Sequence, residues 1–217
     1  MTFLFDLDGT LIDTEKYYRK CWPEAMAHFG YSITDEEALT LRSLGRPFAI
    51  MHLKQLSGDM DFDYAAVREY RKKLFDSCLA KEGLAVKKGA PELLSYLKSH
   101  RVTTAVATAT DTKRATAYLE QVGLRPYFDY VISAVMVEKG KPAPDIYLHA
   151  CEVLGEHPSD CFAVEDAPNG IRSAYDAGCK VIMVPDQTGP DETLSKMLWS
   201  CVDSLEEIIP LVQTFVE

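Results

Sequence analysis

The sequence predicts an α/β fold, a doubly wound parallel sheet that carries a small all-helical insert after its first strand. Two observations predict it. Short apolar, β-branched runs at 3–5, 102–107, 130–132, 161–164 and 181–184 alternate with segments of helical period at 90–98, 112–122, 145–154 and 170–177. Strands separated by helices build parallel sheets covered on both faces. Residues 15–83 break this rhythm and hold no convincing strand.

The first strand runs straight into Asp6-Leu7-Asp8-Gly9-Thr10. Helical segments are then expected at 15–29, 34–44, 47–56 and 64–79. Thr34 and Glu37 form a candidate capping box, and Gly30 and Gly58 are candidate helix stops. Gly83 and the stretch to Gly89-Ala90-Pro91 return the chain to the sheet. The expected division is therefore a core of 1–14 and 84–217 around an insert of 15–83. Strand 102–107 ends at Thr108, and strand 161–164 ends at Glu165-Asp166. Between them lies Lys139-Gly140-Lys141-Pro142-Ala143-Pro144-Asp145-Ile146-Tyr147.

Composition bounds the function. The chain has 217 residues, 47% of them apolar, enough for a real core. Its net charge is -10, from 23 basic and 33 acidic residues, which argues against a nucleic-acid partner. No apolar stretch approaches the roughly 20 residues that span a bilayer. The first strand begins almost at Met1, with no charged leader and apolar region ahead of it. A soluble, cytoplasmic protein without membrane contact is expected. Cys21, Cys78, Cys151, Cys161, Cys179 and Cys201 form no Cys-x-x-Cys pair, so reduced, mostly buried thiols are expected.

The chemistry is concentrated at strand ends, where ligands gather in open parallel sheets. Side chains alternate along a strand, so Asp6 and Asp8 share a face while Leu7 points away. Two such carboxylates repel unless a cation or shared proton intervenes, which points to a hard ion such as Mg2+. Asp6 is the candidate nucleophile and Asp8 the candidate general acid and base. Gly9 allows the tight turn behind them.

These residues resemble, in order, four motifs of the haloacid dehalogenase superfamily: Asp6-Leu7-Asp8-Gly9-Thr10, Thr108, Lys141-Pro142-Ala143-Pro144-Asp145 and Glu165-Asp166. Together they span nearly the whole chain. The resemblance implies a Rossmann-like core, an insert acting as a cap, and phosphoryl transfer through an aspartyl-phosphate. It implies Mg2+ held by Asp6, the Asp8 backbone carbonyl, Asp166 and Glu165, the last directly or through water. It assigns Thr108 and the Ala109 N–H to the phosphoryl oxygens, with Thr110 a competitor for the hydroxyl. Lys141 would neutralise the acids, with Lys139 the lesser candidate. The family usually has Ser after the acid pair, and this chain has Ala167.

Within the superfamily the chain is similar to a subgroup of sugar phosphatases and β-phosphoglucomutases. The mutase pattern carries a His in the first cap helix, and here that place holds Tyr18. A Mg2+-dependent phosphatase of a small phosphate ester, a sugar phosphate first among them, is therefore expected, with the mutase as the alternative and a non-catalytic binding protein behind it. An imine-forming cap lysine (Lys16, Lys20 or Lys54) stands in no recognisable context. Arg46 is the cap candidate for gripping an anion, and Glu15 for sugar hydroxyls. Lys72 and Lys73 are further cleft candidates, and Tyr17, Trp22 and Phe48 could stack on substrate or pack in the core. A monomer is expected by family analogy.

Overall fold

The computed structural model describes residues 1–216. In chain order the elements are β1 (Thr2–Phe5), α1 (Glu15–His28), α2 (Asp35–Leu39), α3 (Phe48–Ser57), α4 (Tyr64–Glu82), α5 (Ala90–Ser99), β2 (Thr103–Thr108), α6 (Thr112–Gln121), β3 (Tyr130–Ser133), α7 (Asp145–Leu154), β4 (Cys161–Glu165), α8 (Pro168–Ala177), β5 (Lys180–Met183), α9 (Glu192–Ser195), β6 (Leu198–Cys201) and α10 (Ile208–Val216). The strands form one sheet in the order β3-β2-β1-β4-β5-β6, every neighbouring pair parallel.

Alternation along the central strands divides the core in two. Phe3, Phe5, Val106, Phe162 and Val164 face α5 and α10, meeting Leu93, Leu97, Ile208 and Val212. Leu4, Ala105, Ala107 and Ala163 face the other way, against Ile146, Tyr147, Ile171 and Ala174 of α7 and α8. That is the doubly wound arrangement, and it leaves the carboxyl ends of β1, β2 and β4 side by side.

Helices α1–α4 occupy the chain between β1 and the core helix α5, with no strand among them. They enclose a small core of their own, including Trp22, Met26, Leu53, Phe62 and Val67. Thr34 and Glu37 form the expected capping box, with bonds of 2.7 and 3.1 Å. Gly58 ends α3 in the left-handed region.

The structure corrects two expectations and decides between the two readings of Tyr17. The helix expected over 34–44 is only α2, because the chain leaves helical geometry to cross toward the sheet, with Ser43 at φ 52°. Tyr17 does not stack on substrate: it is buried in the core and its hydroxyl donates to the Gly83 carbonyl at 2.9 Å. Strand β6 and helices α9 and α10 were not anticipated. All six cysteines are free, four of them buried.

Candidate functional site

Asp6 follows β1 directly, its amide bonded to the Val164 carbonyl at 3.0 Å. The pleat turns its side chain, with that of Asp8, toward the ends of β2 and β4. Asp6 is almost fully buried, and its Oδ1 lies 2.5 Å from Lys141 Nζ. The same ammonium bonds Glu165 Oε1 at 2.6 Å, and the Tyr147 hydroxyl donates to that oxygen at 2.5 Å. Lys141, not Lys139, therefore reaches the acids.

Asp8 is held apart. Thr14 donates to its Oδ1 and Thr110 to its Oδ2, both at 2.7 Å. A carboxylate fixed by two hydroxyls is oriented but stays at the cavity wall, where it can pass a proton. Thr108, at the end of β2, is fully buried and its hydroxyl accepts the Thr110 amide at 3.0 Å. Ala109 and Thr110 line the cavity itself, just before α6.

Carboxylate oxygens of Asp6, Glu165 and Asp166 lie within 4.8 Å of one another, all three residues buried. Asp6 Oδ2, Glu165 Oε2 and Asp166 Oδ2 have no hydrogen-bond partner. Unpartnered buried charge is expensive, and three buried acids this close, each with one oxygen unpartnered, make a donor set suited to a hard divalent cation. The Asp8 carboxylate is outside this group. Two glycines make the crowding possible. A Cβ at Gly9, whose φ is +86°, would lie 2.5 Å from Asp166 Oδ2. One at Gly170 would lie 2.1 Å from the Glu165 carboxylate.

Electrostatics follow from burial. Desolvation pushes the Asp6 carboxyl up to about 8, against the opposing pull of Lys141, and the charges of Glu165 and Asp8 add to the rise. Desolvation and Asp6 hold Asp166 well above the carboxylate range. Burial alone would lower Lys141, but Asp6 and Glu165 outweigh it and keep the ammonium charged.

Above these acids a cavity of about 520 Å³ opens between the sheet and the helical insert. Its walls are rich in cations, including Arg19, Arg46, Arg68, Arg71 and Lys72, while Trp22 supplies an aromatic face. Arg46 lines it but is exposed. Phe48 faces a separate groove instead. Glu15 is buried beside the acids, and desolvation with the charges of Asp166 and Asp8 raises it well above its usual range.

Sequence reasoning missed four contributors. Tyr147, Thr10 and Thr14 hold Glu165, Asp166 and Asp8, and each falls inside or beside a motif run. Arg42 is the fourth: it is buried in the cavity wall, bonds Thr188 at 2.6 Å, and leaves Nη1 unpartnered. Nothing in the local sequence distinguishes it from a surface arginine.

Residues 1–178 match the family model of the haloacid dehalogenase-like hydrolases. The chain belongs to this family. It is 36% identical over 192 residues to fructose-1-phosphate phosphatase YqaB of Escherichia coli, covering 83% of this chain and 94% of that protein. It is 35% identical over 183 residues to hexitol phosphatase A of the same organism, covering 84% and 82%. Among solved structures it is similar to CbbY of Rhodobacter sphaeroides, in a variant complexed with xylulose-(1,5)bisphosphate, at 27% identity, TM-score 0.78 and 95% coverage of both chains. As a haloacid dehalogenase-like hydrolase it has no helix, among the described residues, long and apolar enough to cross a membrane.

Proposed function

We propose that this protein is a Mg2+-dependent phosphatase of small phosphorylated metabolites, a sugar or polyol phosphate being the class its relatives support. The observation that carries this reading is the set of three orphaned carboxylate oxygens around Asp6, with Lys141 beside them.

Asp6, Glu165, Asp166 and the Asp8 carbonyl would hold Mg2+. When bound, Mg2+ would supply positive charge against the phosphoryl oxygens and keep Asp6 ionised at neutral pH. Asp6 attacks phosphorus through a carboxylate oxygen, forming an acyl phosphate as the bond to the leaving alkoxide breaks. Asp8, oriented by Thr14 and Thr110, gives that alkoxide a proton. It then takes one from the water that attacks the phosphoenzyme, releasing phosphate and restoring Asp6. Thr108, the Ala109 amide and Lys141 bind the phosphoryl oxygens. Residues 15–83 act as the cap over the core of 1–14 and 84–217, excluding bulk water. Arg46 and Glu15 contact the substrate's remaining groups. In this reading the enzyme is monomeric and cytoplasmic. Tyr18 stacks on Phe75, with centroids 4.4 Å apart, and offers no imidazole for mutase chemistry.

The test is phosphate release from a panel of sugar, polyol and nucleoside phosphates, with Mg2+ or EDTA. Release that needs Mg2+ and drops by about 10⁴-fold in Asp6→Asn is expected. Full release from pure Asp6→Asn protein would remove Asp6 as nucleophile. Conversion of β-glucose 1-phosphate to glucose 6-phosphate without release would replace the phosphatase by a mutase.

A further inference from the structure

We propose that Ser173 is a positioning residue for Lys141: a hydroxyl on α8 fixes the loop from which the lysine reaches Asp6. The kinetic consequence rests on the phosphatase reading, but the placement of the lysine does not. Ser173 lies in the middle of α8 and is fully buried. Its hydroxyl donates to the Ala143 carbonyl, 30 positions earlier, at 2.6 Å. A serine inside a helix ordinarily turns its hydroxyl to solvent or to the carbonyl four residues back, and alanine is the better helix former. Here the hydroxyl leaves its own helix. The buried neighbours Ile171, Ala174 and Ala177 are apolar, so packing alone gives no reason for a polar group at this place.

The loop needs such a tie. Pro142 and Pro144 have no amide to donate. Ala143 stands between them, and its amide is turned inward, onto the Gly140 carbonyl at 3.1 Å. Among the described residues, the other hydrogen bonds that the backbone of 140–144 makes beyond the run 139–148 go to Gly45 and Arg46 of the insert. Ser173 is thus the bond by which the core itself holds this loop. The Lys141 ammonium must meet two buried carboxylates, Asp6 at 2.5 Å and Glu165 at 2.6 Å, so its backbone has little freedom. Helix α8 acts on the other side of that pair as well. Gly170 lies three positions before Ser173, on the same helix face. It leaves room for the Glu165 carboxylate, from which a Cβ would lie only 2.1 Å away. One face of α8 therefore places both Glu165 and the lysine that pairs with it. A displacement of about 1 Å at a reacting centre costs about 100-fold in rate, and the loss of one tie among several costs less.

Ser173→Ala tests this. Its kcat for phosphate release should fall about 10-fold while KM changes less than about 3-fold, because the lysine opposes charge that develops in the transition state. Ser173→Thr keeps the hydroxyl and should hold kcat within about 3-fold of wild type. A second readout follows Lys141 directly: the ammonium resonance in protein labelled with nitrogen-15 lysine, assigned by its absence from Lys141→Arg. It should be sharp in the wild type and in Ser173→Thr, and shifted or broadened in Ser173→Ala. An unmoved resonance in Ser173→Ala would overturn the proposal, whether or not kcat falls. So would an unchanged kcat in a chain that turns over, or an equal loss in Ser173→Thr, since either would leave Ser173 a packing residue. The resonance needs no substrate, so it decides the placement even if no phosphate ester is hydrolysed, a result that would remove the phosphatase reading alone. Should Ser173→Ala not fold, Ser173→Cys, of similar size and only a weak donor, takes its place with the same expected results.

Discussion

Tyr147 shows how one hydroxyl orients a carboxylate of the proposed metal site. Its bond to Glu165 Oε1 shares that oxygen with Lys141 and leaves Oε2 without a hydrogen-bond partner. Groups that orient a ligating carboxylate typically contribute about 10- to 100-fold to metal affinity. Tyr147→Phe should therefore raise the Mg2+ concentration needed for half-maximal activity by about 10-fold or more, with kcat at saturating Mg2+ close to wild type. A Mg2+ titration of activity checks this, and an unshifted curve would make Tyr147 a packing residue only. Gly170 acts sterically on the same carboxylate. Gly170→Ala places a methyl where Glu165 now lies, and such overpacking costs about 1–3 kcal/mol, read from urea unfolding. The acids and Lys141 were legible because each sits at a strand end or within a proline-framed run. Tyr147, Thr14 and Arg42 were not, because their roles depend on tertiary neighbours 18, 6 and 146 positions away.

At the scale of elements, Phe75 joins the insert to the core. It packs edge-on to Tyr17 and flat on Tyr18, both of α1, and lies near Tyr118 of α6. Phe75→Ala should cost about 3–5 kcal/mol of unfolding free energy, because the cavity opens where three helices meet. A loss below about 1 kcal/mol would mean that the helical layer and the sheet are secured elsewhere. The five expected strands lie within about two residues of those found, since each is a short apolar run bounded by turn residues. Strand β6 escaped because it is an edge of four residues with Trp199 and Cys201 exposed, which blurs the apolar pattern. Helix α10 escaped because Pro210 reads as a breaker, although a proline in the first turn removes no needed donor. The overlong helix expected at 34–44 failed for a different reason. Residues 40–44 mix Leu and Arg with weak helix formers, and Asn169 and Lys141 offer the backbone of 40–45 partners outside the helix.

Across the whole molecule, the buried acids tie folding to pH and, if the proposed site holds Mg2+, to metal as well. In the metal-free protein Asp6 is raised to about 8, and Asp166 and Glu15 are raised well above their usual values. An unfolded chain releases those protons near pH 4. Between about pH 4 and 8 the folded state thus holds more protons than the unfolded one, and stability must fall as pH rises. The net charge of -10 adds repulsion in the same direction. At the proposed site Mg2+ would compete with the protons for the oxygens of Asp6 and Asp166, so it should stabilise most where these are already stripped of them. Thermal unfolding in EDTA should therefore give a lower Tm at pH 8 than at pH 5, and added Mg2+ should raise Tm more at pH 8. Equal gains at the two pH values would show that Asp6 and Asp166 are not in the binding site. Asp6→Asn separates the contributions: it removes the charge that Lys141 now opposes, so the apo protein should lose part of its pH dependence together with part of its response to Mg2+.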